Sequence, residues 1–205
     1  MLPSSSVPHL SYDQLRRHAE AFLTRYHASK RIPIPIERIV EFDLKLDIVP
    51  VPGLEEAFEI VGFTSSDLSE ITVDGYVYES QANRYRFTLA HEAGHVVLHT
   101  DLFKQQRFRR VDDWKDFVRT FPEMDLSRLE WQAHSFAGLV LVPGDALERV
   151  VRDVIRQVKA QGVNHERDFA NDLVVDVVAT RFEVSTEVIQ RRLGYDQLDL
   201  KAMWV

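Results

Sequence analysis

The sequence predicts an α+β protein, mostly helical, in which a small mixed β-sheet precedes a long helix and further helices complete the chain. Three observations carry this. Apolar residues recur at three- and four-residue spacing over most of the chain. Three short strand-like runs between residues 45 and 74 are separated by turn signals. The pentapeptide His91-Glu92-Ala93-Gly94-His95 lies inside one of the helical patterns. At 205 residues, with 45% hydrophobic and 28% charged, the composition suits one substantial core, or one domain with a small appendage.

In chain order, Met1 to Pro8 is rich in Ser and Pro and reads as a loose arm. From Ser11, a candidate cap, Leu15, His18, Ala19, Phe22, Leu23 and Tyr26 set a helical stripe. Ile32-Pro33-Ile34-Pro35 must be extended, because each proline biases its predecessor away from helix, and a short helix follows over Ile36 to Phe42. Lys45 to Val51, Ala57 to Thr64 and Glu70 to Asp74 read as strands, divided by Pro52-Gly53 and Ser65-Ser66-Asp67. A helix from about Asn83, its candidate N-cap, to His99 carries Phe87, Ala90, Gly94, Val97 and Leu98 at helical spacing. The charged stretch Asp101 to Asp125, with aromatic residues spread through it, is either a short helix plus loop or a mobile flap. Helices are expected over Leu126 to Val142, Asp145 to Gln161, Asp168 to Phe182 and Ser185 to Leu193.

The pentapeptide carries the chemistry. Residues i and i+4 of a helix lie one above the other, so His91 and His95 can grip one metal ion while Glu92 reaches a water bound to it. With 8 His in the chain, such a pattern arises by chance in roughly 2% of shuffled sequences. Gly94 costs the helix up to about 1 kcal/mol relative to alanine, which makes sense if another backbone packs close there. The chain has no cysteine, which excludes a disulfide scaffold, a thiolate metal site and a cysteine nucleophile. Any metal must be held by His and carboxylate.

A catalytic zinc has three protein ligands and an open position, and the candidates for the third are His99, Glu130 and His134. His99 sits a full turn beyond His95, so three ligands along one straight helix could not converge, and a supporting position behind the ligands is expected. Glu130 falls on the next long helix, where Ala133, Ala137 and Gly138 are small enough to allow close approach to Ala93 and Gly94. Ser127-x-x-Glu130 also matches a capping box, so ligand and cap are both open readings. His134 shares the face of Glu130 as a ligand, a supporting donor or a polar core residue.

Arg86 through His95, followed at Glu130 by Glu-x-x-Ala-x-x-Phe-Ala-x-x-Leu-x-x-Pro, resembles the ImmA/IrrE family of bacterial zinc metallo-endopeptidases. Pro33 to Ile39 resembles that family's approach to its small sheet, and Ala179 to Ser185 its helix-turn-helix-like segment. The resemblance implies a zincin-like metallopeptidase fold, with Zn2+ held by His91, His95 and Glu130 and with Glu92 as catalytic base. It departs at His134, where the family commonly has asparagine. The division expected is a flexible arm over 1–10, a metallopeptidase domain over 11–143 and a helical C-terminal segment over 144–205 packed on it. His134, His99 and Arg86 are candidates to support the ligands or to donate to the oxyanion.

By the same resemblance the substrate is a specific partner protein, typically a helix-turn-helix transcriptional repressor cut to release gene expression. An alternative is a non-proteolytic binding module that controls a repressor or toxin, although such a module has no need of Glu92. DNA binding through Phe182 to Leu193 is disfavoured by Glu183, Glu187 and a net charge of −7. With no leader-like N-terminus and no long apolar run, a cytoplasmic protein without a membrane association is expected.

Overall fold

The computed structural model describes residues 7–163 and 169–204. The expected arm therefore lies outside the described residues over 1–6, as does the expected helix start at Asp168. Residues 7 to 10 are not loose: Val7 is fully buried, its carbonyl accepts from Arg128, and the Pro8 carbonyl accepts from Gln132.

Helix α1, Tyr12–Tyr26, begins at a reciprocal cap: Gln14 N donates to Ser11 Oγ and Ser11 N donates to Gln14 Oε1. It buries Leu15, Ala19, Phe22 and Leu23. A short helix α2, Ile36–Arg38, passes directly into a π-helical turn over Ile39–Asp43, so the helix expected over 36–42 is present but widened.

Strand β1, Asp47–Val51, is followed by a helix rather than directly by a second strand. The run 57–64 was expected to be one strand, yet its first part belongs to helix α3, Leu54–Phe58, and only Gly62–Thr64 forms strand β2. Gly53 takes a positive φ of 71°, which turns the chain into the helix, and the Asp74 carboxylate accepts from Glu55 N at 3.0 Å. Strand β3, Glu70–Asp74, lies between the other two in a sheet of order β1-β3-β2 among the described residues. The sheet is mixed: β1 runs parallel to β3 with Asp47 opposite Glu70, and β2 antiparallel with Thr64 opposite Ile71.

Asp74 also caps a helix missed in the sequence, α4, Gly75–Ser80, by accepting from Tyr76 N and Val77 N. A break at Gln81 then opens α5, Ala82–Leu98, which carries the pentapeptide. Asn83 is not its cap; its amide instead donates to the Val184 carbonyl at 3.2 Å. The 101–125 stretch forms two short helices, α6, Thr100–Phe103, and α7, Val111–Thr120. Helix α8, Glu123–Leu141, starts after Pro122, earlier than expected. Ser127 is thereby inside the helix, and the capping-box reading of Ser127 and Glu130 fails.

Helices α9, Gly144–Ala160, α10, Ala170–Phe182, α11, Thr186–Tyr195, and α12, Leu200–Met203, complete the described chain. A single buried apolar cluster runs from Leu15 of α1 through Leu89 of α5 and Phe136 of α8 to Val154, Val178 and Ile189, so the C-terminal helices share the core of the rest. Val184, Ile189 and Leu193 face that core. A smaller cluster gathers Val7, Leu102, Phe103, Phe108, Phe121 and Leu129. No helix among the described residues is long and apolar enough to cross a membrane.

Candidate metal centre

Helices α5 and α8 approach so closely that a Cβ at Gly94 would stand 3.1 Å from Ala133 Cα and 3.2 Å from the Ala133 carbonyl oxygen. Gly138, expected to help this approach, faces elsewhere: a Cβ there would meet Arg192 Cδ of α11 at 3.5 Å. The contact at Gly94 carries Glu130, one turn earlier on α8, onto the pentapeptide. Its Oε2 stands 3.2 Å from His91 Nε2 and its Oε1 3.6 Å from His95 Nε2, while the two Nε2 atoms are 3.0 Å apart. Three ligand-type side chains from two helices are thus brought together.

Glu92 also brings a carboxylate oxygen within 4.8 Å of a ring nitrogen of each histidine, so two carboxylates adjoin the pair. Their surroundings separate them. Glu92 is buried, and its Oε2 accepts a 2.8 Å hydrogen bond from Thr64 Oγ1 at the end of β2. Glu130 is 45% exposed and addresses both Nε2 atoms, so it is the carboxylate placed to join them. Burial pushes the Glu92 pKa up against the lowering effects of His91 and the Thr64 hydroxyl.

The histidines divide in the same way. Burial pulls the His91 pKa down, but the hydrogen bond and charge of Glu130, with Glu92, outweigh it and leave the net shift upward. Burial, reinforced by His91 and His99, holds His95 well below the ordinary range. A neutral imidazole is the form that can ligate a metal.

The remaining candidates are placed as follows. His99 lies behind His95, Nδ1 to Nδ1 at 3.1 Å, and its Nε2 meets Gln132 Oε1 at 2.9 Å. Its pKa is lowered, chiefly by burial. The His134 ring sits 6.5 Å from that of His91 and 4.8 Å from Phe87. Arg191 Nη1 donates to His134 Nε2 at 2.6 Å, and burial, then the Arg191 charge, lowers its pKa to about 4. Arg86 is not at the site: it donates to the carbonyls of Ile34 and Glu183 and pairs with the Glu183 carboxylate at 3.5 Å.

Two participants were missed in the sequence. Thr64 is an ordinary strand residue until the sheet is laid on α5, and Gln132 is an ordinary helix residue until α8 is turned towards His99; neither position has a signal of its own. The centre opens into a cavity of about 310 Å³ whose walls include Gly62, Thr88, Phe103, Trp114 and Leu129. A second cavity of about 370 Å³ reaches His91 and Glu130 from the side of His134 and Arg191. The arrangement can hold a divalent cation with a carboxylate base beside it at the foot of an apolar cleft.

None of the curated proteins matches the chain significantly. Among solved structures, a Mycobacterium tuberculosis transcriptional regulator is similar with a TM-score of 0.57 at 15% identity, over 89% of this chain and 46% of that one. This chain thus spans less than half of that regulator, and the likeness is one of fold. The family described as the IrrE N-terminal-like domain, peptidase M78, matches residues 77–194, from α4 through α11. With more than half of its 205 residues matched, the chain belongs to this metallopeptidase family and has its α+β, mostly helical, zincin-like fold.

Proposed function

We propose that the protein is a zinc-dependent endopeptidase that cuts a specific partner protein, a helix-turn-helix transcriptional repressor, and so regulates gene expression. The observation that carries the reading is the convergence of His91, His95 and Glu130 beside a buried Glu92. Ligand atoms at ~2.0–2.2 Å from a tetrahedral zinc stand roughly 3.3–3.5 Å apart. The two Nε2 atoms stand 3.0 Å apart, and the Glu130 carboxylate reaches them with different oxygens, at 3.2 and 3.6 Å, all near that spacing. Two imidazoles and one carboxylate are also a donor set of a catalytic zinc that keeps a position open for water.

Bound zinc would polarise the scissile carbonyl and bring its water's pKa towards ~7. Glu92 would take a proton from the attacking water and pass it to the leaving amine, with Thr64 Oγ1 holding one of its oxygens in place. His134 is the remaining candidate to donate to the oxyanion, because Arg86 and His99 are engaged elsewhere. An arginine side chain offers only donors, so His134 Nε2 accepts from Arg191 and the ring proton sits on Nδ1. The fold's occurrence in a chain named as a transcriptional regulator supports a regulatory setting.

The test is cleavage of a repressor encoded beside this chain's gene by zinc-loaded protein, with zinc content measured alongside. Glu92→Gln should retain zinc and lose about 10²–10⁴-fold in cleavage rate. Equal cleavage by that variant refutes the mechanism. Stable partner binding with no cleavage by the wild type would assign the protein as a binding module instead.

A further inference from the structure

Behind His95 a chain of buried hydrogen bonds leads away from the metal centre. His95 Nδ1 meets His99 Nδ1 at 3.1 Å, His99 Nε2 meets Gln132 Oε1 at 2.9 Å, and Gln132 Nε2 donates to the Pro8 carbonyl at 2.6 Å. His95, His99 and Gln132 are 4%, 3% and 0% exposed, so bulk water does not substitute for any of these partners.

The far end sets the direction of the whole chain. A carbonyl can only accept, so the Gln132 amide must turn its NH2 to Pro8 and its oxygen to His99. That oxygen can only accept, so His99 carries its proton on Nε2 and presents a lone pair at Nδ1. His95 must then carry its proton on Nδ1, which leaves a lone pair on Nε2, the atom that faces His91 and Glu130. Every bond has one donor and one acceptor, and the reverse assignment would set the Gln132 oxygen against the Pro8 carbonyl.

We infer that the N-terminal segment at Pro8, through Gln132 and His99, positions the metal ligand His95 by fixing its tautomer before any metal arrives. The segment is clamped for this role: Arg128, two residues before Glu130 on α8, donates to the Val7 carbonyl at 3.2 Å, and the Val7 side chain is buried. Helix α8 thus supplies a ligand-type carboxylate from Glu130 and the link to the chain's start from Gln132. Gln132, His99 and the segment at Pro8 are positioning groups, since none of them reaches the reacting atoms.

The inference rests on His95 being a metal ligand, and its test separates the two. Nitrogen-15 spectra of the histidine rings in metal-free protein report the tautomer directly: His95 should be protonated on Nδ1 in the wild type and lose that preference in Gln132→Leu. Zinc affinity, read by competition with a chromogenic chelator, should fall about 10–100-fold in Gln132→Leu and His99→Leu. Gln132→Glu keeps an acceptor for His99 but sets its second oxygen against the Pro8 carbonyl, so its zinc affinity should fall between those of the wild type and Gln132→Leu. Deletion of residues 1–10 should weaken zinc about tenfold in the wild-type background and by less than about threefold in the Gln132→Glu background. Equal losses in both backgrounds, or a His95 protonated on Nε2 in the wild type, would overturn the relay. A wild type that shows the expected tautomer yet binds no zinc would leave the relay standing and refute the zinc centre.

Discussion

Gly94 and Ala133 hold their helices at a separation that a methyl group could enter only by pushing them apart: a Cβ on Gly94 would stand 3.1 and 3.2 Å from two backbone atoms of Ala133. Backbone cannot swing aside as the end of a side chain can. Gly94→Ala should gain at most about 1 kcal/mol in helix propensity and lose about 1–3 kcal/mol to overpacking. The net effect expected is a lower melting temperature together with weaker metal binding, because Glu130 moves with α8. Thermal unfolding and metal titration of the variant check both; a stabilised variant with unchanged affinity would contradict the close approach.

Thr64→Val removes the hydroxyl that donates to Glu92. That hydrogen bond lowers the Glu92 pKa against the upward push of burial, so its loss should raise the pKa further. A base must be deprotonated to act, and the acid limb of the kcat/KM profile should therefore move to higher pH. A limb left in place would show that Thr64 does not tune the base.

Arg86 distinguishes a structural role from a catalytic one. Its guanidinium ties the Ile34 carbonyl, ahead of α2, to Glu183, at the end of α10. Arg86→Ala should cost about 1.5–3 kcal/mol of stability, in the range for hydrogen bonds to charged groups. Cleavage per folded molecule at low temperature should stay close to that of the wild type. A large fall in kcat without a change in unfolding midpoint would return Arg86 to the chemistry.

His134 offers a pH test. Its folded pKa of about 4 lies below the ordinary 6.5, so the unfolded chain takes up the proton first as pH falls. The neutral folded form contributes fully above about 6.5, and that contribution is lost as pH drops towards about 4. His134→Asn keeps an acceptor for Arg191 but does not titrate. The stability of metal-free wild type relative to this variant, from urea unfolding, should decrease between about pH 7 and about pH 5. A difference constant with pH would rule out the depressed value.

The sequence and the structure agree where a pattern has its own physical cause. The 3.6-residue stripe of α1, the i,i+4 pair of α5 and the small residue at Gly94 are local statements, and each appears in the fold as expected. The failures are cases where a distant partner decides. Residues 57 and 58 open a run that reads as a strand, but the Asp74 carboxylate of β3 accepts from the first turn of a helix there. Ser127 matches a helix cap, but Pro122 starts α8 earlier. Asn83 and Arg86 face the C-terminal helices, and Thr64 and Gln132 become functional candidates only through residues 28 and 33 positions away.

The cleft wall belongs to a different cohesive unit from the ligands it covers. Leu102, Phe103, Phe108 and Phe121 pack with Val7 and Leu129 rather than in the main core, and no residue of α7 is fully buried. A helix with so little buried surface is expected to open at a lower free energy than the rest, so amides of α7 should exchange hydrogen while those of α5 and α8 stay protected. Phe103 of the same cluster stacks on His95 with ring centroids 5.3 Å apart, so an opening that carried Phe103 along would also strip the backing from a ligand-type imidazole. Substrate access and the rigidity of the centre would then share one equilibrium: the excursions that admit a polypeptide are those in which the centre is least firmly held.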